Sequence, residues 1–328
     1  EITAKECSQF LEKNVDVVTP NGFDDSFVPE KKDFAEIRNK SRERFRTVAE
    51  ATLGYKLDDD ALLLATSGRY EFKNKGIDVF LHTIDQLNQS NELKKEVMAF
   101  VLVPANNYGP RRELVEKLNN PDAPEIEKSF LTHGLHDDAY DAILNGIRNT
   151  SLTNNKEDKV KLIFVPSYLD GDDGIFNMRY YDLLIGLDMT LFPSYYEPWG
   201  YTPLESLAFR VPTVTTNLAG VGMWITEEMD ENQPGIVVCD RRQTQDDELV
   251  KEMADRITDY TGMSEKQMEA ARENAYEISK IALWKNLIKH YYTTFDVALK
   301  KIEENPERLA EYRPKMHNYP IVETNSNC

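Results

Sequence analysis

At 328 residues, 41% of them hydrophobic, the chain can bury one large core or two ordinary ones and is not a disordered protein. Its 39 basic and 57 acidic residues leave a formal charge of −18, which repels nucleic acid and anionic lipid surfaces at long range, so any anionic ligand needs a local cationic pocket. Cys7, Cys239 and Cys328 are few, far apart and odd in number, which fits a reducing, cytoplasmic compartment, and no secretory signal or apolar run of the roughly 20 residues that span a bilayer is present. The start at Glu1, without an initiator Met, reads as that of a fragment.

In chain order, apolar runs at 62–66, 77–87 and 97–103 read as strand, helix, strand. From 106 to 159 the pattern lapses into expected helices at 111–118, 125–132 and 139–147, too long for a plain loop and read as a helical insertion. The series resumes with a strand at 160–165, a helix at 180–187, a strand at 189–192, a helix after Thr202, and strands at 213–216 and 235–239. Such alternation predicts right-handed βαβ units around a parallel sheet, an α/β fold. Leu249, Met253, Ile257 and Tyr260 carry helical spacing, and a long helical region covers 268–299. The last ~25 residues, with Pro306, Pro314 and Pro320, read as an irregular tail.

Two stretches carry chemistry. The first strand runs into Gly68, Arg69 and, after a loop, Lys75; a guanidinium fork and a mobile ammonium on different sides suit a diphosphate. The plainer reading is a charged turn, since Glu71 and Asp78 are nearby partners. The second stretch joins the strand ending at Phe192 to a helix whose expected start is Thr202 as N-cap, Pro203 first and Glu205 third. Amides at such an end favour anions. Glu205 then has a structural explanation in a Thr-x-x-Glu capping box, whereas Glu197, among Tyr195, Tyr196, Trp199 and Tyr201, does not. A carboxylate against aromatic surface fits either a sugar site with an oxocarbenium-like centre or an aromatic mini-core with a surface Glu. His133, His136, Asp137 and Asp138 look at first like a metal cluster, but read better as a helix start with Asp137 or Asp138 near its cap, so no metal site is expected. A dehydrogenase is disfavoured because no Gly-x-Gly-x-x-Gly follows a strand.

Taken together, these residues resemble the eukaryotic-type glycogen synthases of glycosyltransferase family 3. The likeness runs through Val17-Val-Thr-Pro-Asn-Gly22, Gly68-Arg-Tyr-Glu-Phe-Lys-Asn-Lys-Gly76, Thr132-His-Gly-Leu-His-Asp-Asp138, Ser194-Tyr-Tyr-Glu-Pro-Trp-Gly-Tyr-Thr-Pro-Leu-Glu205 and Thr215-Thr-Asn-Leu-Ala-Gly220. The resemblance implies the C-terminal, Rossmann-like half of a GT-B enzyme that transfers glucose from UDP-glucose to the nonreducing end of an α-1,4-glucan such as glycogen, with retention and without a metal or other cofactor. By that likeness Arg69 and Lys75 hold the diphosphate, the amides of Gly200, Tyr201 and Thr202 receive phosphate oxygens beside Trp199, and Glu205 takes the ribose hydroxyls. Tyr180 stacks on uracil, with Tyr181 as the neighbouring alternative, and Glu197 faces the transferred glucose.

The implied organisation is 1–22 as the last helix and hinge of an N-terminal domain not in this chain, 23–282 as the UDP-sugar domain with the insertion at about 106–159, and 283–328 as a C-terminal helix and tail. Turnover by the chain alone is expected to be negligible, and homo-oligomerisation is left open. The family's arginine-dense glucose 6-phosphate helix corresponds to 264–275, which holds Arg272 and several acids, as a bacterial member would. The alternatives are another retaining GT-B transferase with a different sugar nucleotide or acceptor, and a non-catalytic nucleotide-binding module.

Overall fold

The computed structural model describes residues 2–307 apart from 121, 128, 230 and 231, so the tail expected beyond 307 lies outside the described residues. The chain opens with α1 (Ile2–Phe10). After an irregular stretch come α2 (Lys31–Leu53), β1 (Leu62–Ser67), α3 (Ile77–Gln89) and β2 (Val97–Leu102). Gly54 ends α2 in the left-handed region at φ 81°, returning its N–H to the Glu50 carbonyl.

The segment expected to be a helical insertion is mixed. β3 (Asn107–Pro110) pairs antiparallel with β4 (His133–Leu135), flanked by α4 (Arg112–Asn119) and α5 (Ala142–Arg148). The helix expected at 125–132 does not form. Phe130 to Thr132 instead run extended along β5 (Val160–Val165), where Phe164 donates to the Phe130 carbonyl and Thr132 donates to that of Phe164. Pairing with a free sheet edge outweighs the weak helical pattern of the segment. His133 lies in β4, not at a helix start, and the cap of α5 is Asp141, which accepts from the Leu144 N–H at 2.7 Å.

Next come α6 (Tyr180–Leu184), β6 (Met189–Leu191), α7 (Tyr201–Ala208), β7 (Thr213–Thr216), α8 (Gly220–Glu228), β8 (Asn232–Gln233) and β9 (Ile236–Cys239). The helix expected to reach 187 stops at Leu184, where side chains of α2 take carbonyls of its last turn and just beyond: Ser41 donates to Leu183, and Arg38 donates to Ile185 and Leu187 at 2.7 Å each. Helices α9 (Asp246–Thr261), α10 (Glu265–Ile281) and α11 (Trp284–Glu304) close the chain, the long helical region breaking at Ala282 and Leu283. Two units result, one of 1–22 with 284–328 and one of 23–283. In the smaller, Trp284 lies against Gly22 and Tyr291 donates to Asn21 at 2.9 Å.

The larger unit is built on a seven-stranded sheet in the order β5-β2-β1-β6-β7-β9-β8, parallel except for β8 at the edge. Renumbered along the chain, the six parallel strands read 3-2-1-4-5-6, the doubly wound Rossmann order. Both faces are covered, so β1, β2, β5, β6 and β7 are buried throughout and the period of two only sorts residues between faces. Leu62, Leu64, Ala99, Val101, Leu162 and Phe164 join the core under α3, α5 and α9. On the other face Phe100 meets Phe45 of α2 at 4.7 Å and Phe176 at 6.4 Å between ring centroids. In such a sheet the crossovers from β1 and β6 leave in opposite directions, and the loops after these two strands flank the crevice they open.

Candidate active site

The loop after β1 holds Gly68, Arg69 and Lys75, and the loop after β6 holds Glu197; adjacent parallel strands bring their carboxyl ends together. Gly76, at φ 67°, lies so close to the Pro193 carbonyl that a Cβ would overlap it, and Tyr195 donates its N–H to the Asn74 carbonyl at 2.9 Å. Only glycine allows both this backbone conformation and this approach. The result is an ion pair between Lys75 Nζ and Glu197 Oε2, with side chains only 15% and 18% exposed. Further along, the Glu197 N–H donates to Leu218 and its carbonyl accepts from Gly220, tying the loop to the turn before α8.

Arg69 is turned outward, its side chain 78% exposed and paired with Glu71 at 2.9 Å. It lines a cavity of about 530 Å³ together with Ser67, Gly68, Tyr70, Tyr180 and Thr202. Inside it the Tyr180 and Ser67 hydroxyls share a hydrogen bond of 2.8 Å, and burial pushes the Tyr180 phenol above its ordinary range, with Glu205 adding to the rise. Tyr168 and Asp170, from the loop after β5, also line the cavity and are not among the residues the sequence motifs single out.

The start of α7 differs from expectation. Gly200, at φ 104°, is the N-cap, so Thr202 is the second helical residue and Pro203 the third, and the capping box does not form. Gly200 is preferred over Thr202 because the chain must turn sharply between Val221 and the Glu197 side chain, which would lie 3.2 and 3.3 Å from a Cβ there. Glu205 instead accepts from the Tyr181 hydroxyl at 2.9 Å. Burial raises its carboxyl above the ordinary value, and the Tyr181 bond offsets part of that. Tyr181 is held by stacking on Phe209 at 5.5 Å and 16° and by Phe27 at 4.8 Å. Tyr201 is 42% exposed. Trp199 packs on Trp224 with centroids 5.8 Å apart, and its buried Nε1 has no hydrogen-bond partner among the described residues.

Thus Lys75 and Glu197 meet directly, and Arg69, Tyr180 and Thr202 share one cavity, while Glu205 is bonded to Tyr181. Among the described residues no three His, Cys, Asp or Glu side chains converge as a metal would need. His133 is buried with both ring nitrogens engaged at 2.8 Å, Nδ1 by the Thr132 hydroxyl and Nε2 by the Asp173 carbonyl. No helix of the described residues is long and apolar enough to cross a membrane.

Comparison with known proteins bears on the family. A sequence profile of the glycogen synthase family matches residues 1–119 and 112–325. Glycogen [starch] synthase of Caenorhabditis elegans is 29% identical over 94% of this chain and 55% of its own length. Isoform 2 of Saccharomyces cerevisiae is 28% identical over 92% and 52%, and the human liver enzyme 30% identical over 89% and 49%. Of the solved structures, WaaG, a glycosyltransferase involved in lipopolysaccharide biosynthesis, aligns with a TM-score of 0.43 at 15% identity over 80% of this chain and 51% of that one, and the fold assignment rests on the strand order instead. The chain spans about half the length of the curated relatives it matches. It belongs to the glycogen synthase family.

Proposed function

We propose that the chain is the nucleotide-sugar half of a retaining glucosyltransferase that moves glucose from UDP-glucose to the nonreducing end of an α-1,4-glucan. The observation that carries this reading is the Lys75–Glu197 pair at the strand-order switch, beside a cavity and a helix N-terminus. Arg69 and Lys75 neutralise the diphosphate, and the amides of Gly200, Tyr201 and Thr202 add donors at the positive end of α7. Tyr180 offers its ring to uracil and Glu205 its carboxylate to the ribose, with Tyr181 holding one oxygen. Trp199 supports the turn through Trp224.

In the transfer step the bond from the anomeric carbon to the β-phosphate oxygen breaks, its electron pair leaving with UDP. Arg69 and Lys75 stabilise the charge that grows there, the role a metal plays in other transferases. A hydroxyl of the acceptor attacks from the same face and passes its proton to a departing phosphate oxygen, which retains configuration. Glu197 faces the glucose as an electrostatic partner for the positive anomeric carbon. A preceding Rossmann-like domain, with 1–22 as its last helix and hinge, supplies the second wall and the acceptor surface, and the cysteine usage fits a cytoplasmic enzyme.

Titration calorimetry tests the donor site. UDP and UDP-glucose should bind this chain, and Arg69→Ala should weaken UDP by about 10- to 100-fold, the worth of a charge-assisted bond to phosphate. Absence of binding, or equal binding by the variant, sinks the assignment. Isolation of a covalent glucosyl adduct on Glu197 in the intact protein would overturn the same-face step.

A further inference from the structure

Arg241 follows β9 and lies behind the site rather than in the cavity. Its side chain is 2% exposed and grips three groups. Nη1 donates to the Pro193 carbonyl, Nη2 lies 3.0 Å from Asp246 Oδ1 at the start of α9, and the guanidinium covers the Tyr195 ring with Cζ 3.4 Å from its centroid. The Tyr195 hydroxyl donates to the other Asp246 oxygen. The Arg241 N–H donates to Asn217 Oδ1 at 2.9 Å, so the backbone at the base of this clamp is also fixed. Pro193 and Tyr195 form the root of the loop that ends in Glu197. The same two residues touch the Lys75 segment, Pro193 against Gly76 and Tyr195 through its N–H to Asn74.

We propose that Arg241 is a positioning residue: by holding Pro193 and Tyr195 it sets where Glu197 stands relative to Lys75. A planar cation is required, because a carbonyl, a carboxylate and an aromatic face are satisfied at once only by a fork that also stacks. The proposal rests on the reading of Glu197 as the acidic residue of glucosyl transfer.

In the full-length protein, Arg241→Met should lower kcat for glucosyl transfer by about 10- to 100-fold, the scale of a small misplacement of a reacting group, while KM for UDP-glucose stays within about threefold. Amide exchange at Tyr195 and Glu197 should quicken in the variant while β1 and β2 keep their protection, which a general loss of stability would not produce. Arg241→Lys keeps the charge without the plane and should recover only part of kcat. If Arg241→Met does not fold, Tyr195→Leu, at a residue 37% exposed, removes the stacked ring and its hydroxyl bond to Asp246 while leaving Arg241 in place, and should still slow transfer. An unchanged kcat in the variant that folds overturns the proposal, as does a fall in kcat matched by UDP affinity and melting temperature. Failure of the unaltered protein to bind UDP would instead remove the functional reading beneath it.

Discussion

Lys75 and Glu197 neutralise one another across two loops, so a diphosphate reaching Lys75 must compete with a carboxylate that is only 18% exposed. Glu197→Gln removes that competitor. UDP should then bind about three- to tenfold more tightly, the equivalent of an ion pair near 1 kcal/mol, even as transfer by the intact protein falls. Calorimetry on this chain checks it, and equal or weaker binding would mean that the pair does not compete with phosphate. Arg69 is differently placed: its bond to Glu71 is at the surface and mostly solvated, and so yields to a phosphate at little cost. Arg69, Lys75 and Glu197 stand out in the sequence because each lies within a few residues of a strand end or a helix start, whereas Tyr180, with Tyr181 as its alternative, came from the family resemblance. Arg241 carried no such signal, and neither did the bond from Tyr181 to Glu205, since both depend on partners more than 20 residues away.

At the level of elements, the six parallel strands were legible, unlike β3, β4 and β8, because a sheet buried on both faces leaves unbroken apolar runs such as Leu62 to Ala65. The extended 130–132 segment was not, because its pairing partner, Phe164, is over 30 residues distant. Asp188, just before β6, shows how far the elements depend on charge. It is 3% exposed, and although burial alone would raise its carboxyl, Arg38 and Arg42 of α2 hold it below the ordinary value. It also accepts from the Leu63 N–H of β1 at 2.9 Å, so one carboxylate joins a helix and two strands. Asp188→Asn leaves the buried Arg38 guanidinium and the part-buried Arg42 guanidinium without their counter-ion and should cost about 3–5 kcal/mol in urea unfolding. His133 gives the pH counterpart. Burial lowers its basicity below the ordinary 6.5, although the Asp173 carbonyl and carboxylate oppose this. The unfolded chain therefore takes up a proton near pH 6.5 before the folded one does, and stability present above that pH is lost as pH falls below it. The melting temperature should drop between pH 7 and 5, with a shallower slope in His133→Gln; equal slopes would assign the effect to other groups.

For the whole molecule, α10 bears on regulation. Arg272 is 8% exposed and bonded to Glu269 at 3.0 Å, with Glu265 at 3.7 Å, so the single arginine of 264–275, where Lys266 is the other basic residue, is turned inward and neutralised rather than offered to an anion. Glucose 6-phosphate is expected to leave the activity of the intact protein unchanged, and a large stimulation in a radiolabelled glucose transfer assay would refute this. The order of the sheet also carries a kinetic consequence. Lys75 and Glu197 are 122 positions apart, and between them the chain must complete β2, β5 and β6 before the two loops can meet. Closing so long a loop belongs to the slow, non-local part of folding. A nucleotide sugar that reaches both residues would therefore recognise the finished sheet and none of its earlier stages, and its binding would time the end of folding rather than the beginning.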